Sequence, residues 1–506
     1  MDSLAATSTE SVGKGTAQPQ RAESVDVVII GAGVSGIQAA RSIQTGAPKG
    51  TTYVILDRRD RIGGTWDLFR YPGVRSDSDV FTFGFSWNPW PRGGPLATGP
   101  EIARYLAASA TQIGADRHMR FRHRVVSLDW TSDDKRWNVA AARAESHEPV
   151  LFRARFVVLG TGYYDAQEPL QSPVPGLDRF QGDVLRPQFW PEDYRYVNKH
   201  IVVIGSGATA VTLLPSLAED ARHVTMVQRS PTYIASLPTT PAPWTRLWQF
   251  FLPRAVARRW DRLLRIVLTY VLWHVSRRHP QKVRRLLERA SAAQLPSRIP
   301  VRPHFAPRYN PWDQRLCVCP DGDFYRALRS TKASVVTDVI DQVTEREIVL
   351  GSGRRLRPDV IVPATGLKLQ FAGGIRLSVD GAPVDPATRF SWRGCMLQDV
   401  PNLVFVLGYV NASWTLGAEA TGVLMARILS HMQKCGADVA VPSREGSDEG
   451  EGMERVPLFD LTSTYLRGVD KIFPKGGVGQ WAPKKNYFVD LWQATWGSFS
   501  PGLKFY

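Results

Sequence analysis

An α/β fold with two Rossmann-like dinucleotide-binding domains is predicted by three features of the chain. The run Asp26-Val27-Val28-Ile29-Ile30 is short, apolar and rich in β-branched residues, which reads as a buried parallel strand, and it leads into Gly31-Ala32-Gly33-Val34-Ser35-Gly36. The pattern repeats at His200-Ile201-Val202-Val203-Ile204, which leads into Gly205-Ser206-Gly207-Ala208-Thr209-Ala210. Each unit then carries a second strand, Thr52 to Leu56 in the first and Val224 to Val227 in the second, with polar residues at its end.

The first turn makes a different demand at each glycine. Gly31 permits the tight turn, Gly33 lets the backbone approach a pyrophosphate, and Gly36 lets the helix read over Ile37 to Ile43 pack close on the strand. The free N–H groups and positive end of that helix then face the phosphates. Such a turn also serves as a plain packing joint, so the residues at the strand ends decide the matter. Asp57 stands about 20 positions beyond Gly36, where a carboxylate meets ribose hydroxyls. A carboxylate there repels a 2′-phosphate, which suits FAD or NAD and not NADP. In the second unit Arg229 and Ser230 take that place, and a guanidinium with a hydroxyl can hold a 2′-phosphate through charge-assisted hydrogen bonds. One acidic and one basic site together predict FAD in the first unit and NADPH in the second.

The remaining elements follow in order. Residues 1–24 are rich in Ser, Thr, Ala, Gln and Gly, show neither a signal-peptide nor a transit-peptide pattern, and read as a disordered tail. Arg61 to Asp77 interleaves aromatics, arginines and acids around Gly63-Gly64 without helix or strand period, as site-bearing loops do. Residues 121–162 alternate like strands and end in Phe156-Val157-Val158-Leu159-Gly160-Thr161-Gly162, a buried strand with a glycine turn. Phe180 to Pro191 has prolines and aromatics in place of a period and reads as a constrained linker. His304 to Leu316 is a second aperiodic loop of polar and aromatic residues. Asp359 to Gly366 echoes Leu159 to Gly162, Val404 to Tyr409 is one more strand and turn, and Ala418 to Leu429 reads as a helix. The predicted organisation is an FAD domain over 25–170 and 366–440 and an NADP domain over 171–365 with a helical insertion at about 242–300. Residues 441–506 follow as a charged linker (441–455) and a C-terminal segment whose aromatic end, Asn486 to Tyr506, packs on the body.

Composition narrows the function classes. With 506 residues, 43% hydrophobic and 22% charged, the chain can bury two or more cores. Four cysteines are too few for a disulfide framework and lack zinc spacing, so no metal is expected. Cys317 and Cys319 read as buried strand thiols, and this usage fits a reducing cytoplasm. A formal charge of +16 raises nucleic acid as a partner, but twelve Lys or Arg against Asp261 and Glu288 fall between Ala242 and Ala290. The excess is local, and no nucleic-acid partner is expected. Ile266 to Val275 is too short an apolar run to span a bilayer. Amphipathic helices remain, as an insertion packed on the sheets, a face for anionic lipids, or a partner surface. The expectation is that this segment walls the substrate entrance and makes peripheral membrane contact.

The runs Gly63 to Asp79, Gly205 to Thr232, Pro311 to Cys317 and Asn411 to Leu416 together resemble the class B flavoprotein monooxygenases, and within them the type I Baeyer–Villiger group. The likeness is strongest to the ethionamide-activating type of FAD-containing monooxygenase and extends from Val25 to Met432. It implies FAD contacts from Gly31, Gly33, Ser35, Gly36, Asp57, Gly64, Thr65, Trp66, Asp67, Asp77 and Val125. It implies NADPH contacts from Arg75, Ser76, Gly205, Ser206, Gly207, Ala208, Thr209, Ala210, Arg229, Ser230 and Arg315. The chemistry it implies is flavin reduction by NADPH, formation of a flavin C4a-peroxide from O₂, and oxygen transfer to a lipophilic small molecule. Arg315 matches the family's catalytic arginine, a fixed cation beside the reacting oxygen, and Asp77 matches the acid that orients it.

Two places depart from the family pattern. Arg186 stands where the fingerprint Phe-x-Gly-x-x-x-His-x-x-x-Trp has histidine, and a guanidinium stays charged and only donates. Gly417 and Glu419 stand where the family has Lys and Asp, which removes a cation near the expected flavin edge. Ketone-to-ester or lactone insertion is the first expectation. The alternatives are sulfur or nitrogen oxygenation or hydroxylation, an NADPH oxidase or reductase without oxygen transfer, and last a non-catalytic redox-sensing flavoprotein.

Overall fold

Val27, Val28 and Ile29 are fully buried because their strand, Glu23–Ile30, lies inside a parallel sheet with both faces covered. The computed structural model describes residues 22–91, 94–144, 146, 148–171, 174–240, 250–444, 453–459, 462–466, 468–500 and 502–506. In the first sheet Glu23–Ile30 pairs in parallel with Tyr53–Leu56 on one side and Pro149–Leu159 on the other, and Leu403–Phe405 adds beyond Pro149–Leu159. An antiparallel pair, His123–Thr131 with Arg136–Arg143, extends the sheet to eleven strands together with shorter pieces. The expected tail ends sooner than 24, since Glu23 and Ser24 already register with Phe152 and Arg153. Residues 1–21 lie outside the described residues. Helix α1 (Val34–Gly46) follows the first glycine turn.

The second sheet is wholly parallel, in the order Ala333–Thr337, His223–Gln228, His200–Ile204, Val360–Pro363, Asp183–Val184. Helix α2 (Ala208–Asp220) follows its glycine turn. Asp183–Val184 is an edge strand within the stretch read as a linker. Two ladder residues between a glycine and a proline-rich run are too few to show a period. After this sheet the chain returns to the first one through Arg376–Val379 and Leu403–Phe405.

The basic segment folds as α3 (Arg254–Arg278) and α4 (Pro280–Ala292), while residues 241–249 lie outside the described residues. Among the described residues no helix is long and apolar enough to cross a membrane. Helix α5 (Trp414–Cys435) packs along α1 and begins ahead of the expected Ala418. Gly417 concealed that start. A Cβ there would stand 2.7 Å from the Leu407 carbonyl oxygen, so close packing and not helix propensity chose the residue. Helix α6 (Tyr487–Trp496) packs against α5, and Leu503–Phe505 pairs with Ala440–Pro442. The predicted linker at 441–455 therefore begins inside a strand, and 445–452 lie outside the described residues. Cys317 and Cys319 are buried on the strand Cys317–Pro320, as expected.

Candidate active site

A cavity of about 360 Å³ opens where the glycine turns of both sheets meet the aperiodic loop after Gly63. Its first wall is backbone. Gly31 has φ 109°, and a Cβ there would lie 2.5 Å from the Gly160 carbonyl oxygen. Gly33 is the N-cap of α1 and no side chain caps it, so the free N–H groups of the first turn are available where Gly33, Val34 and Ser35 line the cavity. Gly36 stands behind this wall, where any Cβ would strike the Gly31 carbonyl. Asp57, at the end of Tyr53–Leu56, accepts the Ala32 N–H at 2.6 Å through Oδ2 and the Arg59 N–H at 2.8 Å through Oδ1. Burial pushes its carboxyl up, and the two N–H donors oppose that shift. The carboxylate braces the turn and also faces the cavity.

Gly64, at φ 57°, backs onto Gly33, and Thr65 and Trp66 open the short helix Thr65–Leu68 beside it. Trp66 sits edge-on to Phe83 at 5.7 Å, and with Val125 from the strand His123–Thr131 these residues complete the first wall. Two glycine turns free of side chains, an uncapped helix start and a strand-end carboxylate fit the pyrophosphate and ribose of FAD. Asp67 lies apart from this wall. It is buried and bonded by Arg59 Nε at 2.7 Å and Arg70 Nη2 at 3.1 Å.

The second unit contributes Ala208 and Thr209, the first residues of α2, whose N-cap Gly207 also has no side-chain cap. Gly205, Ser206, Gly207, Ala210, Arg229 and Ser230 stand off the cavity wall. Ser206 donates to the Ser230 carbonyl at 2.8 Å, which gathers the turn and the exposed strand end at one place. Arg75 lines the cavity but spends its guanidinium on Asp323, at 2.5 and 3.3 Å, and so ties the first unit's loop to the second. Ser76 closes a small turn by exchanging hydrogen bonds with Ser78.

Arg315 and Asp77 meet on the shared wall with Nη1 and Oδ2 3.2 Å apart, and about a third of each side chain is exposed. Burial works against the Arg315 charge, but Asp77 beside it, followed by Tyr163 and Tyr164, outweighs burial and holds the guanidinium firmly cationic. Tyr163 stacks on Trp414 at 5.0 Å and 10°, and its hydroxyl is hydrogen-bonded to that of Tyr164. Trp414 in turn donates to Ser35 Oγ at 2.9 Å. Sequence reasoning passed over Tyr163, Tyr164, Tyr409 and Trp414 as site residues. Each follows the C-terminal end of a parallel strand, where open α/β sheets place their ligands, and that position was the available signal.

The two departures also find their places. Arg186 points its Nη1 at the Leu170 carbonyl, 3.4 Å away, and is not on the cavity wall. Beside Gly417, Lys484 of the C-terminal segment donates to the Leu407 carbonyl at 2.6 Å and to Thr421 Oγ1 at 2.8 Å. An ammonium thus approaches the Gly417 backbone from elsewhere in the chain, and burial lowers its pKa. Glu419 forms a buried pair with Arg262 of α3 at 2.7 Å.

The flavin-binding monooxygenase-like family pattern matches residues 24–275. The FAD-containing monooxygenase EthA of Mycobacterium tuberculosis (strain H37Rv) is 43% identical over 475 residues, covering 93% of this chain and 95% of its own. The chain belongs to the flavin-binding monooxygenase-like family. A probable FAD-binding monooxygenase, AlmA of Acinetobacter baylyi, is 41% identical over 468 residues, 92% of this chain and 93% of that one. Among solved structures, oxidised steroid monooxygenase bound to NADP superposes with a TM-score of 0.74 at 21% identity, over 95% of this chain and 99% of the other, a likeness of fold. Family membership makes the chain an FAD-dependent monooxygenase.

In such a site the Gly36 environment is unforgiving. Gly36→Ala is expected to abolish FAD retention, read as loss of flavin absorbance after gel filtration, because the new methyl cannot coexist with the Gly31 carbonyl.

Proposed function

We propose that this monooxygenase inserts one oxygen beside the carbonyl of a lipophilic ketone, giving an ester or lactone. Ketone, O₂, NADPH and a proton are consumed, and ester, NADP⁺ and water are formed. The observation that carries the reading is the Arg315–Asp77 pair on the wall shared by both dinucleotide cradles. Bound FAD supplies the two-electron activation of O₂. The protein's part is to place a fixed cation, Arg315, where negative charge grows on oxygen, and to keep it aimed through Asp77. Trp66, Phe69 and Trp414 give the same cavity an apolar lining suited to a hydrocarbon chain. The test is incubation of the holoenzyme with NADPH, O₂ and a panel of ketones, with products read by mass. NADPH consumption that yields only H₂O₂ would sink oxygen transfer.

A second reading, oxygen transfer to sulfur or nitrogen, is favoured by the bonded hydroxyls of Tyr163 and Tyr164, which bring proton donors to the Arg315 wall. Thioethers and amines in the same panel decide between the two.

We also propose that Arg229 and Ser230 read the 2′-phosphate of NADPH. Arg229→Ala is expected to raise KM for NADPH about tenfold or more, as a lost charge-assisted bond would, while KM for NADH hardly moves. Equal effects on both nucleotides would refute this assignment. Finally, we propose peripheral contact between α3 and anionic lipid. Trp260, Leu263, Val267 and Val271 are exposed on α3 among arginines, the composition of an interfacial helix. Salt-sensitive co-sedimentation with phosphatidylglycerol vesicles is the expected result, and its absence removes the proposal.

A further inference from the structure

Tyr409 stands between the cavity and the seam of two helices. It lines the cavity and is only 5% exposed. On its far side it packs with Ile266 of α3 and Leu416 of α5, and its hydroxyl donates to Asp490 Oδ2 of α6 at 2.7 Å. Helices α3 and α5 thus hold the ring by apolar contact, and α6 meets it through Tyr487 on the same cluster and a single hydrogen bond to Asp490. Helices α3 and α6 also touch through Tyr270 and Phe488, edge to face at 6.2 Å, where 36% and 38% of these residues are exposed. Tyr270 and Phe488 are the exposed groups on this side, and beneath them Tyr487 packs on the buried cluster of Ile266, Tyr409 and Leu416. That line is hydrocarbon apart from Asp490, the tyrosine hydroxyls, His274 edge to face with Tyr270 at 4.2 Å, and the Glu419 carboxylate that accepts from Tyr487 at 3.2 Å. The pyrophosphate cradles of Gly33 and Gly207 are instead bounded by glycine backbone and helix N-termini, which suit charged dinucleotides.

We propose that Tyr409 is the substrate gate: lipophilic substrate reaches the oxygenation cavity through the α3–α6 seam when the ring swings off Asp490. The inference rests on the cavity being the oxygenation site. It makes Tyr409 and Asp490 selective for long apolar molecules and leaves nucleotide access untouched, because only one hydrogen bond and side-chain contacts must give way for the ring to move.

The test uses oxidised holoenzyme carrying Tyr270→Cys and Phe488→Cys in a Cys435→Ser background, bridged by a reducible bis-methanethiosulfonate. The probe is 2-tridecanone, and its arrival is read in a stopped-flow instrument as a change in flavin absorbance. Bridging is expected to slow arrival about tenfold, with recovery on adding reductant, while the rate of flavin reduction by NADPH stays the same. Tyr409→Phe, without bridging, is expected to speed arrival severalfold. An unchanged arrival rate after bridging overturns the gate, and so does equal slowing of probe arrival and flavin reduction. Failure of the unbridged enzyme to oxygenate any ketone speaks against the assigned reaction only, since the binding readout needs no turnover.

Discussion

Arg315→Ala is expected to lower the rate of oxygenated product formation by about 10²- to 10³-fold, the usual cost of removing a charge aimed at a growing oxyanion. The loss should exceed that of a neutral deletion. Asp77 stands 3.2 Å from the guanidinium, and without Arg315 its carboxylate would remain on the cavity wall as an uncompensated negative charge facing the reacting oxygen. Asp77→Asn should therefore be milder, about tenfold, because the cation stays and only its aim is lost. In the double variant the repulsive carboxylate is gone, so the double should be no worse than Arg315→Ala alone. Arg315→Lys keeps a charge but not the planar fork and should fall between. The measurement is product by mass per NADPH consumed, in protein whose FAD content is checked by absorbance. Continued NADPH consumption with H₂O₂ in place of product is the expected signature. Product formation within about threefold of the unaltered enzyme would remove Arg315 from the chemistry.

The glycine turns and the residues at the strand ends were legible because each is dictated locally. A φ of 109° at Gly31 and a Cβ collision at Gly36 leave no other residue, and Asp57 and Arg229 stand directly after the strands Tyr53–Leu56 and His223–Gln228, where the pattern placed them. The Arg315–Asp77 contact joins positions 238 apart in sequence, and only likeness to a family could suggest it before the fold was seen. Less was legible where function is assembled from distant pieces with no motif. Tyr409 gains its partners from α3, α5 and α6. Lys484 reaches Gly417 across the body, so a cation lost from one element is partly restored by another. Asp67 shows the reverse: the family likeness implied an FAD contact, whereas here Arg59 and Arg70 bond its carboxylate off the cavity wall.

Arg262 is a buried anchor of the helical insertion, and Arg262→Ala is expected to cost about 3–5 kcal/mol of stability, as breaking one side of a buried ion pair does. Arg262 bonds the Phe81 carbonyl at 3.2 Å, the Gly84 carbonyl, and Glu419 Oε2 at 2.7 Å. Both side chains of the pair are about nine-tenths buried, at 11% and 12% exposure. Glu419 also accepts from Ser86 and, at 3.2 Å, from Tyr487, so one carboxylate gathers α3, α5, α6 and the loop after Phe83. Removing the arginine strands that carboxylate and the carbonyls at the end of the short helix Val80–Phe83. Glu419→Gln should cost less, since an amide still accepts and leaves Arg262 its carbonyls. Replacing both, as Arg262→Met with Glu419→Leu, should recover much of the loss, because two apolar groups of similar volume need no counter-charge. Denaturant titration of the four proteins shows whether the loss follows the broken pair. If the single and double variants lose the same stability, the pair is not what holds α3. If only the singles fall, α3 carries Ile266 to Tyr409 through this junction, and hydrogen exchange in α3 should rise in the singles alone.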